Sequence, residues 1–306
     1  CNSELFFYCQ SSNLEQAMRK VLVLGSTGML GHQVLLRLTQ NPDFQVIDLS
    51  FRNKFREGTI ICDVTDFKKL GQVIEDIQPN FIVNCIGILI KGSNDNPKNS
   101  ILINAYLPHF LTEEGEKVGA KIIHISTDCV FSGKKGGYQE SDFRDADDVY
   151  GRGKALGEIN SEKHLTLRTS IIGPELKKNG EGLFHWFMMQ RGKINGFSEA
   201  YWGGVTTLQL AKSIEVAINK NLSGLLHVSN GKKISKLEIL DLLKRIWKKD
   251  DVEIQKVDSK VVDKSLQISN SFDFNIPSYE IMFTELYEWM LENQGFYQIN
   301  YQSLKS

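Results

Sequence analysis

The stretch "VLVLGSTGMLGHQV", residues 21–34, decides the fold. Val21 to Leu24 are branched and apolar without alternation, the pattern of a strand buried on both faces. From Met29 to Leu38 the apolar positions recur at helical spacing. Gly25, Gly28 and Gly31 therefore lie on a strand-to-helix turn. There, backbone N–H groups and a helix N-terminus can approach a phosphate, because no Cβ holds the anion off. The spacing is G-x-x-G-x-x-G rather than the commoner dinucleotide pattern G-x-G-x-x-G, and a tight turn without a ligand is the competing reading. The order strand, loop, helix, with a second strand "FQVIDLS" (44–50) behind it, favours a nucleotide. Thr27, Met29 and Leu30 share the loop and are candidate contacts.

Composition bounds what such a chain does. Its 306 residues suffice for one large or two modest domains. Formal net charge is −1, so no basic footprint points to nucleic acid or to an anionic membrane surface. The longest apolar runs, such as "FIVNCIGILI" (81–90), fall far short of the ~20 residues that span a bilayer, and a soluble cytoplasmic protein is expected. The five cysteines (Cys1, Cys9, Cys62, Cys85, Cys129) form no C-x-x-C, which fits reduced thiols in a cytosol. Six scattered histidines without H-E-x-x-H give no support to a metal site. Residues 1–17 carry no initiating methionine and no basic flank. They read as a non-native or disordered leader, with Met18 the natural start.

Strands and helices alternate along the chain. After the first two strands come "GTIICDV" (58–64), a helix from about Asp66, the strand "NFIVNCIGI" (80–88), a helix around 100–118 and the strand "AKIIHIS" (120–126). A helix near Tyr150, a strand at 165–172, a helix at 207–220, a strand at 224–230 and helices at 236–249 and 279–292 follow. Repeated βα units predict an α/β fold of Rossmann type, a doubly wound parallel sheet with helices on both faces. Residues 18–172 with 205–230 are assigned to this nucleotide-binding domain. Residues 173–204 with 231–306 are assigned to a smaller substrate lobe over the carboxyl edge, where ligands of such sheets bind.

A second stretch carries chemistry: "HISTDCVFSGKKGGYQESDFRDADDVYGRGKALGE", residues 124–158. Thr127 closes a strand, and Tyr150 and Lys154 lie four apart on one helix face. An ammonium near a phenol favours the phenolate, which would bring the phenol's pKa from about 10 toward the working range and make Tyr150 a usable acid or base. A lone Y-x-x-x-K is more often a core tyrosine and a solvated lysine. With a nucleotide loop upstream and a hydroxyl at a strand end, the catalytic reading prevails.

Together Gly25-x-x-Gly28-x-x-Gly31, "NCIG" (84–87), "STD" (126–128) and Tyr150-x-x-x-Lys154 resemble the extended short-chain dehydrogenases/reductases. Within them the chain is most similar to the dTDP-4-dehydrorhamnose reductase family, through "STDCVFSG" (126–133), "YGRGKALGE" (150–158), "INAYLPHFL" (103–111) and "LRTSIIGPE" (167–175). The similarity weakens after Pro174.

The resemblance implies a sugar-nucleotide reductase of polysaccharide or deoxysugar synthesis. Tyr150 would give a proton to the substrate carbonyl, Lys154 would hold the nicotinamide ribose, Thr127 would hydrogen-bond the same oxygen, and Asn104 would support the lysine through water. Cys85 and Gly87 would border the cofactor, while Asp63 with Val64 would meet adenine. Cys129 stands where that family usually has tyrosine, and Gly153 where it has serine. At the end of the second strand the place of an NAD-binding carboxylate falls on Ser50, with Arg52 two residues on, which points to NADPH; a shifted register would put Asp48 there and permit NADH. The expected partner is a nucleotide sugar, with a homodimer allowed and no nucleic acid or membrane. Asp128-Cys129 lacks the glutamate of sugar-nucleotide dehydratases. An epimerase and a non-catalytic regulatory subunit of the same fold remain the alternatives.

Overall fold

The computed structural model describes residues 18–298, 300 and 301; the leader expected at 1–17 lies outside them. Seven strands form one parallel sheet: β1 (Arg19–Leu24), β2 (Phe44–Ser50), β3 (Ile60–Ile61), β4 (Phe81–Asn84), β5 (Lys121–Thr127), β6 (Leu165–Thr169) and β7 (Gly224–His227). Their spatial order is β3-β2-β1-β4-β5-β6-β7. The chain winds outward from β1 to β3, returns to β4 on the other side of β1, and winds outward again. The crevice outside the carboxyl ends of β1 and β4 is thus a topological switch point.

Alternation within β1 explains its unbroken apolar run. Val21 and Val23 face a core built with α1 (Gly31–Thr39), α5 (Thr207–Asn219), α6 (Lys236–Ile246) and α7 (Tyr279–Glu292). Leu22 and Leu24 face a second core built with α2 (Phe67–Ile77) and α3 (Leu107–Val118). A strand buried on both sides needs no polar face. Side-chain caps set the helix starts: the Asp66 carboxylate accepts from Lys69 N, and Ser235 with Glu238 forms a full capping box.

Several expected elements change in detail. The strand predicted over 58–64 shrinks to Ile60–Ile61, because the Thr59 hydroxyl accepts from Phe55 N and Arg56 N while Asp63 Oδ1 accepts from Thr65 N. The helix predicted around 100–118 is a short helix Pro97–Ile101, a π-turn Leu102–Tyr106 and α3. Pro108 cannot donate to the carbonyl of residue 104, and the ladder passes this point with Leu107 N bonded to Leu102 O. The sheet ends at β7. Val205–Thr206 instead pairs with Ile171–Ile172 in a separate parallel ribbon. Beyond it, Gly192–Phe197 pairs in parallel with Val252–Val257, and Ala200–Trp202 lies between Ile234–Ser235 and Val262–Asp263. These ribbons meet the loop after β5 through Asp263 N to Gly133 O and Tyr138 N to Ser265 O, both 2.8 Å.

A buried ionic knot ties β5, β6 and β7 together. Arg168 is 1% exposed and holds Glu158 through two bonds of 2.7 Å, while Ser126 Oγ donates to the same carboxylate at 2.6 Å and Arg144 Nη1 at 3.0 Å. Burial alone would raise the Glu158 pKa; the Arg168 bonds and charge, with Ser126 and Arg144, outweigh it and hold it low. Arg168 Nη1 also donates to His227 Nε2 at 3.0 Å. Burial, with the Arg168 charge behind it, lowers His227 to about 4, and burial likewise lowers His32 to about 4. Both imidazoles stay neutral in the folded chain, whereas the unfolded chain protonates them near 6.5. Their contribution is intact above pH 6.5 and is lost as pH falls from 6.5 through about 4. Urea midpoints should therefore fall across that window, and less steeply in His227→Gln; an unchanged slope in the variant refutes the assignment to His227.

Candidate active site

Three glycines shape the loop after β1, each differently. Gly25 has φ +84°, a left-handed conformation that side chains disfavour. A Cβ on Gly31 would lie 2.0 Å from Gly25 O, so this position admits only glycine if α1 is to sit on the strand end. At Gly28 a Cβ would meet only Gly25 O at 3.1 Å and otherwise open space. The first turn of α1 has no side-chain cap and no acidic residue. Among the described residues no group accepts from the N–H of Met29, Leu30 or Gly31. Unpartnered donors at a helix N-terminus beside a glycine with open space form an anion cradle that fits a pyrophosphate. Thr27 is half-buried beside it, and Leu30 is in the core.

At the neighbouring strand end stands Asp48, the carboxylate of the shifted register. That carboxylate is fully buried, accepts from Arg56 Nε at 2.7 Å and from Thr59 Oγ1 at 2.8 Å, and has no freedom to reach a ribose. Ser50 is the last residue of β2, and its hydroxyl donates to Asn53 O. Arg52 is exposed just beyond, its guanidinium 4.5 Å from the Phe51 ring centroid. The end of β2 therefore presents the Arg52 cation, with the Asp48 carboxylate turned inward. Asp63 is exposed and takes the cap role through Thr65, while Val64 is in the core. Cys85 lies beside the strand end of β4, its thiol pushed up by burial, and a Cβ on Gly87 would lie 3.6 Å from Asn104 Oδ1.

Farther along the carboxyl edge, β5 ends at Thr127 and α4 (Val149–Leu156) packs across it. The Asp148 cap, accepting from Gly151 N, places Tyr150 in the first turn of α4 and Lys154 one turn later. Gly157 permits the close approach of α4 to the π-turn, since a Cβ there would lie 2.1 Å from Asn104 O. Tyr150 is 9% exposed, Lys154 4% and Thr127 8%, so all three are buried where α4 crosses the end of β5.

The electrostatics of that corner differ from the expectation that Lys154 makes Tyr150 more acidic. Burial raises the Tyr150 phenol above its usual value, with nearby Cys129 adding to it and a hydrogen bond from Thr127 opposing. The phenol thus stays protonated, as a proton donor must. Lys154 is lowered to about 8 by burial, against the pull of Glu158. Its Nζ donates to Ile125 O at 2.6 Å and lies 3.3 Å from His124 Nε2. Cys129 is raised to about 12 by burial first and Asp128 second, and so remains a neutral thiol.

Asn104 is fully buried on the π-turn that packs against α4. Its amide accepts from Ile88 N and donates to Ile88 O, both at 2.9 Å, and also donates to Ser100 Oγ at 3.1 Å. Its side chain thereby braces the loop after β4. The residues that hold Lys154, His124 and Ile125, were not singled out from the sequence, nor was Glu158. In the lobe, Phe184 and Trp202 are core, Trp186 is 39% exposed, and Tyr201 lies under Lys233 at 4.1 Å.

The strand order, the glycine cradle at the switch point and a Thr127/Tyr150/Lys154 corner at the same edge define an extended short-chain dehydrogenase/reductase on a Rossmann fold. The chain belongs to the family described as the RmlD substrate binding domain, which matches residues 18–283. It is 30% identical over 168 residues to a dTDP-4-dehydrorhamnose reductase of Aggregatibacter actinomycetemcomitans, covering 53% of this chain and 54% of that one. It is 32% identical over 168 residues to methionine adenosyltransferase 2 subunit beta of Pongo abelii, covering 52% and 49%. These matches span about half the length of each relative. A Bacillus anthracis dTDP-4-dehydrorhamnose reductase solved in complex with NADP has the same fold, with a TM-score of 0.75 at 22% identity over 89% of this chain and 99% of that one. Among the described residues no helix is long and apolar enough to cross a membrane, and no cluster of histidine, cysteine and acidic side chains suits a metal ion.

Proposed function

We propose that the protein reduces the 4-keto group of a nucleotide-linked deoxysugar with NADPH, in the synthesis of cell-surface polysaccharide or deoxysugars. One observation carries this: the unpartnered N–H groups of the glycine loop and the buried Tyr150 corner lie along one carboxyl edge of a single sheet. The dinucleotide, when bound, supplies the hydride. The backbone of Gly25–Gly31 holds its pyrophosphate, and Arg52 neutralises the 2′-phosphate. Tyr150, kept protonated by its burial, gives its proton to the carbonyl oxygen as negative charge develops there. Thr127 hydrogen-bonds that oxygen. Lys154 binds the ribose hydroxyls, held by Ile125 O and His124 on its inner side.

Residues 18–172 with 205–230 serve as the nucleotide-binding domain, and 173–204 with 231–306 as the substrate lobe. The reaction belongs to the cytoplasm, and a homodimer is the assembly we assign. The match to methionine adenosyltransferase 2 subunit beta supports a second reading, a regulatory subunit that binds nucleotide and a partner enzyme. Retention of Thr127, Tyr150 and Lys154 weighs for catalysis. Screening NADPH oxidation against a panel of nucleotide-linked 4-keto-6-deoxysugars separates the two: turnover of any member establishes the reductase. No turnover, together with tight co-purification of another enzyme, establishes the subunit.

Cofactor choice has its own test. Arg52→Ala should weaken NADPH by about tenfold or more and leave NADH nearly unchanged, since only NADPH carries the charge that this side chain meets. Equal losses for both dinucleotides by calorimetry would remove Arg52 from the site.

A further inference from the structure

Behind the glycine loop lies a set of buried polar groups that the reaction does not use. His32 and Gln33, in the first turn of α1, and Tyr297, in the short helix α8 (Gln294–Tyr297), are each 0% exposed. His32 Nδ1 is 2.7 Å from Gly28 O, His32 Nε2 is 3.0 Å from Tyr297 Oη, and Gln33 Nε2 donates to Tyr297 Oη at 2.9 Å. The protons of this chain of bonds are determined. A carbonyl only accepts, so Nδ1 carries the ring hydrogen. The ring is neutral, so Nε2 accepts, and the Tyr297 hydroxyl must donate to it while accepting from Gln33.

The bond to Gly28 O has a consequence on the other side of the same peptide. A trans peptide points its C=O and the following N–H in opposite directions. Gly28 O accepts from His32 Nδ1 at 2.7 Å and more loosely from the His32 backbone N–H at 3.3 Å; drawing it inward turns the Met29 N–H outward, one of the donors that no described group accepts. Phe296, the neighbour of Tyr297, stacks on Phe55 with centroids 5.1 Å apart and planes at 14°. Phe55 belongs to the segment between β2 and β3 that also carries Arg52. One short helix thus touches both arms of the cleft.

We propose that α8 is a positioning element of the dinucleotide cleft: Tyr297, acting through His32, sets the Gly28–Met29 peptide so that its N–H faces the bound pyrophosphate, while Phe296 steadies the loop that carries Arg52. The proposal rests on the reading of the glycine loop as a dinucleotide site. Tyr297→Phe removes the hydroxyl and keeps the ring. Tyr301→Phe is the control, because Tyr301 is 1% exposed in the same segment but its hydroxyl serves Glu175 and His185 instead of the loop.

Dissociation constants for NADPH by calorimetry, melting temperatures, and ¹⁵N spectra of the His32 ring on the full chain provide the test. We expect NADPH to bind Tyr297→Phe about tenfold more weakly, the scale of one buried hydrogen bond, with Tyr301→Phe within about twofold of wild type and both variants losing similar melting temperature. The His32 ring should be protonated on Nδ1. Equal weakening in both variants, no weakening in Tyr297→Phe, or a ring protonated on Nε2 overturns the positioning role while leaving the dinucleotide reading intact. A wild-type protein that binds neither NADPH nor NADH overturns that reading and the positioning role with it.

Discussion

Tyr150→Phe should lower kcat for sugar reduction by ~10²-fold or more and leave NADPH affinity within about twofold. The variant deletes the proton donor and keeps the ring that fills the corner between β5 and α4. Three features make this group the donor. It stands in the first turn of α4, set there by the Asp148 cap. It is 9% exposed, so water has little access to supply the proton in its place. Its phenol is held protonated by burial, with the Thr127 hydrogen bond acting against this. Affinity should barely move because the contacts assigned to the dinucleotide lie chiefly on the glycine loop, Arg52 and Lys154. Intact kcat in the variant would mean that the proton comes from another group, and the catalytic assignment would fall. Melting curves of the two proteins guard against the trivial outcome of a misfolded corner.

How much of this was legible in the sequence depends on how local the signal is. The glycine loop was readable because its three requirements, a left-handed φ at Gly25, open space at Gly28 and close approach at Gly31, arise within seven residues and leave a composition no other turn needs. The Tyr150/Lys154 pair was readable because helical spacing alone puts the two on one face. Parallel strands buried on both faces, such as β1, β4 and β5, announced themselves by their concentration of branched apolar residues.

What stayed hidden is non-local. Glu158 and Arg168 form a pair joining the end of α4 to β6, and nothing near either residue signals the other. The hold of His124 on Lys154 crosses from strand to helix over a separation of 30 residues. Distance in sequence also hid the lobe ribbons. Gly192–Phe197 and Val252–Val257 are short and half-exposed, each burying only one or two residues, and the two partner strands lie about 60 residues apart in sequence. The acidity of Tyr150 was misjudged for a related reason. Spacing showed that Lys154 was near, but it did not show that its ammonium is bonded to Ile125 O or that burial dominates the phenol. The same limit applied to Asp48, whose burial under Arg56 and Thr59 strand composition did not show.

Gly28→Val should reduce NADPH affinity by about 100-fold or more while the protein still folds, with a melting temperature a few degrees from wild type. The prediction turns on the difference between the three loop glycines. At Gly31 a Cβ would stand 2.0 Å from Gly25 O, and at Gly25 the φ of +84° resists any side chain, so substitutions there test folding first and binding second. Gly28 does not adopt a left-handed φ, and a Cβ there meets only Gly25 O, at 3.1 Å, so the loop must yield by a few tenths of an ångström and no more. The rest of the side chain enters open space beside the unpartnered N–H groups of Met29, Leu30 and Gly31, which is the volume a pyrophosphate needs. Two branched methyl groups in that volume exclude the anion from the donors without removing a single donor. Calorimetry with NADPH and thermal melting read the two effects separately: unchanged affinity in a folded Gly28→Val protein would show that the cradle holds no phosphate, while lost affinity with an intact melt places the dinucleotide against the first turn of α1.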